Sequence, residues 1–241
     1  MEINKIHNID CIAGMRKLKL LRIRPAIIMT SPPYNYGHPY IGYRDDKDHK
    51  DYLEWLDRVV EWMRAIIADT GSAFINIQPP PKNPEYIVDI IGIVNKHFEI
   101  QNIIHWIKSI HIEDKTHGRI RNITSSRYLN NEHEYVIHAT TRPIHLNKES
   151  KQTRSNVWFI ERANPNKHRS FPPKFPIELP KRCIELHGYH KDTLVLDPFM
   201  GLASTAIACK ELGINYIGFE VDDLICEFAE ERMKKRDEHN G

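Results

Sequence analysis

Short runs of β-branched and large apolar residues alternate along this chain with stretches whose apolar residues recur at helical spacing, and that alternation leaves few folds open. Ile3 to Ile9, Pro25 to Met29, Ala73 to Ile77, Ile100 to Ile107, His133 to Ala139, Thr193 to Leu196 and Asn215 to Phe219 read as strands. Between the first two, Asp10 caps a helix reaching about Leu21, with Ile12, Met15 and Leu18 on one face. Asp51 to Ala68 carries Leu53, Leu56, Val59, Val60, Met63, Ile66 and Ile67 at helical spacing, and Gly71 ends it. Further helices are expected from about Pro84 to Lys96, from Glu178, and from the turn after Leu196 to Leu212, where Gly213 closes the last of them. Strand and helix in alternation predict an α/β fold with a wound, mainly parallel sheet. At 241 residues, 41% hydrophobic, the chain is expected to form one domain, 1–241. Trp158 to Ile160 stands isolated in this scheme.

Net charge is +2, but it is unevenly spread. Residues 108–131 hold five Lys/Arg (Lys108, Lys115, Arg119, Arg121, Arg127) against two acids, and 139–174 hold eight, among them Lys148, Lys151 and Arg154, against two. The two segments carry +3 and +6, so the rest of the chain carries −7. A basic face on an acidic body is the pattern of a nucleic-acid footprint, although one such segment alone would be ordinary solvated surface. The four cysteines, Cys11, Cys183, Cys209 and Cys226, show no CxxC pairing and read as buried thiols. His133 and His138 are five apart in a β-branched stretch, where a zinc helix needs four, and no metal is expected. No apolar run approaches the roughly 18 residues of a membrane span, and a cytoplasmic protein is expected.

Thr30-Ser31-Pro32-Pro33-Tyr34 follows the strand ending at Met29, so this loop opens at a strand's C-terminal end, where open α/β sheets place ligands. Consecutive prolines remove two N–H donors and leave carbonyls with no ladder to join. A flat substrate carrying an amino group suits the set: Ser31 and the Pro32 carbonyl accept N–H bonds while Tyr34 stacks on the ring face. A Pro-Pro turn after a core strand would look the same. Asn35 to Lys50, polar but studded with Tyr36, Tyr40 and Tyr43, reads equally as a mobile lid or a plain surface loop.

A second motif tips that balance. The strand ending at Leu196 runs into Asp197-Pro198-Phe199-Met200-Gly201-Leu202-Ala203-Ser204-Thr205, a helix follows, and Glu220 stands at the tip of the next strand. Strand, glycine-containing turn, helix, strand and an acid roughly 20 residues on is a nucleotide-binding grammar. The full GxGxxG is missing, and a nucleoside without phosphates fits better than a dinucleotide.

Together, Thr30 to Tyr34 and Asp197 to Gly201 resemble the amino-group DNA methyltransferases that use S-adenosylmethionine, and the order of the two motifs resembles their beta group. The resemblance spans nearly the whole chain and implies the Rossmann-like methyltransferase form of the fold: a single doubly wound, mainly parallel sheet with one antiparallel strand and small basic insertions for DNA recognition. It implies S-adenosylmethionine as cofactor, held by Asp10, Phe171, Pro172, Asp197, Phe199, Gly201, Ser204 and Glu220, and duplex DNA as partner, contacted by the basic residues named above. Asp10 then meets the adenine amino group, Glu220 the ribose hydroxyls, and the stretch His168 to Pro176 lines the pocket. The resemblance leaves open a homodimer and a cognate restriction endonuclease. The sequence departs from the family at Ala203, where a second glycine is usual; an alanine costs little there in helical geometry and more at positive φ.

The implied chemistry is methyl transfer to an amino group of a base rotated out of the duplex, with Ser31, Pro32, Pro33 and Tyr34 as the catalytic loop. Ser rather than Asp before Pro-Pro-Tyr resembles the N4-cytosine enzymes, with N6-adenine as the alternative. A nucleic-acid-binding module that has lost catalysis, or methylation of RNA or a protein amide, are the rival readings.

Overall fold

The computed structural model describes residues 1–38, 43–118, 125–149, 154–163 and 174–240. Its elements are β1 (Lys5–Asn8), α1 (Cys11–Leu20), β2 (Ile27–Thr30), α2 (His49–Ile66), β3 (Ser72–Ile77), α3 (Tyr86–His97), β4 (Glu99–Ile107), β5 (Ser109–Ile112), β6 (Lys115–Gly118), β7 (His133–Thr140), β8 (Val157–Phe159), α4 (Glu178–His187), β9 (Leu194–Asp197), α5 (Ser204–Leu212), β10 (Asn215–Glu220) and α6 (Asp223–Asn240). Eight strands form one sheet in the order β1-β10-β9-β2-β3-β7-β4-β8. β7 alone runs against the rest, pairing antiparallel with both β3 and β4, so the expected single antiparallel strand is there. The isolated Trp158 segment is an edge strand, parallel to β4 with His105 opposite Val157.

The central strands β2, β3 and β9 survive because both their faces are covered. In β2 all four residues are buried: Ile27 and Met29 join the layer containing α4, α5 and α6, while Ile28 joins the one containing α1, α2 and α3. That is the doubly wound arrangement, and it explains why these runs are continuously apolar rather than alternating. α2 buries Tyr52, Leu56, Val59, Val60, Met63 and Ile66 along one stripe. At roughly 1.5–3 kcal/mol per buried side chain, such a stripe contributes on the order of 10 kcal/mol before chain entropy is subtracted.

Chain direction across the sheet reverses between β2 and β9. From β2 the chain winds outward through α2 to β3; from β9 it winds the other way through α5 to β10. A crevice opens outside the strand ends at such a switch point, and both loops singled out in the sequence leave from it. The basic stretch after β4 begins as a hairpin, β5 against β6, which the polar sequence did not announce. α6 packs Ile225, Cys226, Ala229 and Met233 inward.

Candidate functional site

β2 and β9 are hydrogen-bonded neighbours, so the Ser31–Tyr34 loop and the Asp197–Gly201 loop emerge side by side. Asp197 ties them together. Its Oδ1 accepts from Thr30 Oγ1 (2.9 Å) and the Phe199 amide (3.0 Å), and its Oδ2 accepts from Thr205 Oγ1 (2.6 Å). Burial pushes the Asp197 carboxyl up to about 6, against the pull of these donors. The expected cofactor ligand is therefore fully buried and committed to the protein's own donors: it shapes the turn from within.

Ser204 is buried in the same way: it donates to the Phe175 carbonyl at 2.9 Å and accepts from Arg232, so it pins the chain ahead of α4 to the start of α5. Ala203 is left-handed, φ 63° and ψ 30°, with its methyl in the core, so the costly alternative raised by the sequence is the one observed. Beneath the turn, a Cβ on Gly218 would stand 2.5 Å from Met200 Cε; glycine there lets the loop lie close on β10.

Toward the crevice, Glu220 accepts from the Gly201 amide (2.9 Å) and the Asp222 amide (3.0 Å). Burial raises its carboxyl above the usual range, with the backbone donors opposing that shift. Its carboxylate keeps some accepting capacity beyond these backbone donors. Half-buried Phe199 sets its ring edge-on to Trp55 at 5.7 Å. Asp10 is exposed and caps α1 by accepting from the Ala13 amide at 3.0 Å, two residues beyond Asn8, where β1 ends beside Glu220. Phe171 and Pro172 lie outside the described residues.

In the Pro-Pro loop, the Tyr52 hydroxyl donates to the Pro33 carbonyl (2.9 Å) and the Tyr86 hydroxyl to the Tyr34 carbonyl (3.2 Å), the two rings stacking at 5.8 Å. Among the described residues nothing donates to the Pro32 carbonyl. The Tyr34 hydroxyl points inward: it donates to Glu134 Oε2 (3.0 Å), accepts from Asn76 Nδ2 (2.8 Å) and lies 2.7 Å from Ser31 Oγ. Burial, with the Glu134 charge beside it, holds its pKa far above that of a free tyrosine. Asn76 also donates to Glu134 Oε2 at 2.6 Å, and Lys108 Nζ donates to Glu134 Oε1 at 2.7 Å.

Lys108, expected on the DNA-facing surface, is thus 4% exposed and paired inside the protein. Lys115 and Arg127 are exposed and flank the same end of the sheet as the Pro-Pro loop, since the chain between β4 and β7 crosses there. Lys148 and Arg154 are exposed too, but not beside them. The chain leaves β7 at Thr140, opposite the first residues of β3 and β4, and Asn147 bonds to Leu186 at the end of α4. Arg154 then donates to the Lys148 carbonyl. Lys148 thus lies at the opposite end of the strands from the catalytic loop. Arg119, Arg121 and Lys151 are outside the described residues.

Tyr52, Asn76, Tyr86 and Glu134 were not foreseen. A buried asparagine in the apolar strand Ser72–Ile77 was the one available signal; Glu134 had drawn notice only beside His133.

A family model described as DNA methylase, of the N6/N4 type, matches residues 26–231. The chain belongs to the DNA methylase family. It is 24% identical over 258 residues to the type II methyltransferase M.BamHI of Bacillus amyloliquefaciens, covering 98% of this chain and 58% of that protein's length. Among solved structures, the methylase fold is shared with the M1.HpyAVI–SAM complex (TM-score 0.65, 20% identity, 95% of this chain and 98% of that one). It is shared equally with the PvuII cytosine-N4-specific DNA methyltransferase (TM-score 0.69, 16% identity, 95% and 89%). In this methylase no group of three or more His, Cys, Asp or Glu is placed to hold a metal among the described residues, and no described helix is long and apolar enough to cross a membrane.

Proposed function

We propose that this chain methylates the exocyclic N4 amino group of cytosine in duplex DNA, with S-adenosylmethionine as donor, as the modification half of a restriction-modification system. The observation that carries the reading is the adjacency of the two loops at the sheet's switch point, bonded through Thr30 and Asp197. Glu220, Phe199, the Gly201 turn and exposed Asp10 border the cofactor side, offering acceptors for hydroxyl and amino groups and an aromatic surface. When bound there, S-adenosylmethionine supplies a methyl group activated on a sulfonium.

The chain's own task is orientation. An amino nitrogen conjugated into a base is a poor nucleophile, and acceptors on its N–H groups draw its lone pair out of the ring plane. The Pro32 carbonyl, without a donor, and Ser31 Oγ are those acceptors, while the tyrosine braces hold the loop rigid. The base reaches them by rotating out of the duplex. Exposed Lys115 and Arg127, at the loop's end of the sheet, contact phosphates. Ser31 before Pro-Pro-Tyr supports cytosine, as does the likeness in fold to the cytosine-N4-specific PvuII enzyme. The matched family takes in N6 methylases as well, so adenine is the second reading.

DNA from cells expressing the protein, digested to nucleosides and examined by mass spectrometry, tests this. N4-methylcytosine is the expected product. N6-methyladenine alone would overturn the choice of base, and neither would overturn methylation of DNA.

A further inference from the structure

Behind the Pro-Pro loop lies a hydrogen-bonded path that orientation does not require. Ser31 Oγ is 2.7 Å from the Tyr34 hydroxyl, which is 3.0 Å from Glu134 Oε2. Both Tyr34 and Glu134 are fixed by Asn76 Nδ2, at 2.8 and 2.6 Å, and the far oxygen of Glu134 takes Lys108 Nζ at 2.7 Å. Glu134 is 8% exposed, Lys108 4% and Asn76 1%. A buried carboxylate with a buried counterion is costly to assemble, and neutral residues would brace a tyrosine as well.

The reaction proposed above leaves a proton to be removed. When the amino nitrogen gains a methyl group it holds one bond too many and must release an N–H proton. Ser31 can accept the hydrogen bond, but a hydroxyl does not keep a proton near neutral pH. We propose that Ser31, Tyr34 and Glu134 form a proton relay for that step, with Glu134 as the buried terminal acceptor. The inference rests on the amino-methyltransferase reading.

The atoms balance. As the C–N bond forms and the C–S bond breaks, with its electron pair left on sulfur, the amino proton passes to Ser31 Oγ. The Ser31 hydroxyl proton passes to the Tyr34 oxygen, and the Tyr34 proton to Glu134 Oε2. Ser31 and Tyr34 each end with the one proton they began with, Glu134 ends neutral, and Lys108 remains a cation. After product leaves, Glu134 returns the proton to water. Tyr34 never ionises: its burial and the adjacent Glu134 charge keep it a phenol, and it conducts by exchanging one proton for another. The groups facing Glu134 are Lys108 from the chain after β4, Asn76 from β3, Tyr34 from the loop after β2, and, further off, His133 on its own strand and Tyr36. Glu134 acts through Tyr34 and Ser31 and does not touch the base.

The test is single-turnover methyl transfer to duplex DNA as a function of pH. Tyr34→Phe keeps the ring and cuts the path; Glu134→Gln combined with Lys108→Met removes the acceptor without leaving a buried cation unpaired. In both, transfer near neutral pH should fall roughly a hundredfold. It should then climb with pH as hydroxide takes the proton, where the wild-type profile is flat, and cofactor affinity should stay within about threefold. Transfer in either variant within about twofold of wild type, with the same flat profile, overturns the relay. So does a loss of rate that tracks a loss of cofactor affinity and thermal stability with no change in the pH profile, since that marks a mere brace. Wild-type protein that leaves DNA unmethylated would remove the parent reading and the relay with it, whereas the other two failures remove the relay alone.

Discussion

Ala203 shows how one residue can hold opposing costs. A left-handed φ of 63° strains an alanine by roughly 1–2 kcal/mol, and glycine would relieve that. Yet the methyl is fully buried, worth about 0.8 kcal/mol, and glycine adds roughly 0.4–1 kcal/mol of unfolded-chain freedom. These contributions nearly cancel. Ala203→Gly should leave the free energy of unfolding measured in urea within about 1 kcal/mol of wild type, whereas Ala203→Val should cost more than about 2 kcal/mol, because a β-branched residue is excluded at that φ and the site has no room. A clear gain from glycine would mean that the strain outweighs the packing.

The loop after Tyr34 illustrates the next scale. Its tyrosines and charges left a lid and a plain surface loop equally open, and the described part is tied down. Asp45 is 4% exposed and accepts from the amides of Asn35 (2.9 Å), Tyr36 (3.1 Å) and His38 (2.9 Å). Asn35 and Lys47 exchange hydrogen bonds at 2.8 Å, and Tyr43 lies on Trp55 at 5.1 Å, linking the loop to Phe199. A carboxylate serving three amides replaces the ladder this loop lacks, and each amide left without it costs about 1–3 kcal/mol where water cannot enter. Asp45→Ala should therefore destabilise by roughly 2 kcal/mol and speed hydrogen exchange at Asn35, Tyr36 and His38, with Asp45→Asn in between. Unchanged exchange at those amides would show the carboxylate to be dispensable.

On the scale of the whole molecule, buried titratable groups set the response to acid. His138 and His187 both face the Ser72 hydroxyl, at 3.0 and 2.9 Å, and burial drives them down to about 3 and about 4. Unfolded, each takes a proton near pH 6.5, so their stabilisation is complete above about 6.5 and is lost as pH falls toward 4 and below, on the order of a few kcal/mol each. Asp197 works the other way: its folded pKa of about 6 lies above the unfolded value, so its stabilisation is present in acid and lost as pH rises through 6. Two histidines with larger displacements outweigh one aspartate. Urea unfolding should show stability falling from about pH 6.5 toward pH 4, less steeply in His138→Gln and more steeply in Asp197→Asn. A flat profile would refute this assignment. These same residues mark the division between what the chain says locally and what folding adds. Strands at Ile27–Thr30 and Leu194–Asp197, the Asp10 cap, the helices after them and the two loops were legible, because apolar period, capping side chains and Pro or Gly act within a few residues of chain. Strand order was not, nor that Lys108 turns inward to Glu134 and Lys148 away from the loop, nor that Asp197 and Ser204 are spent on protein donors. Thr30 and Asp197 are 167 residues apart and Tyr34 and Glu134 are 100 apart. No local pattern encodes which of many polar side chains will meet across such distances; burial in a shared crevice does, by making every unpaired partner costly.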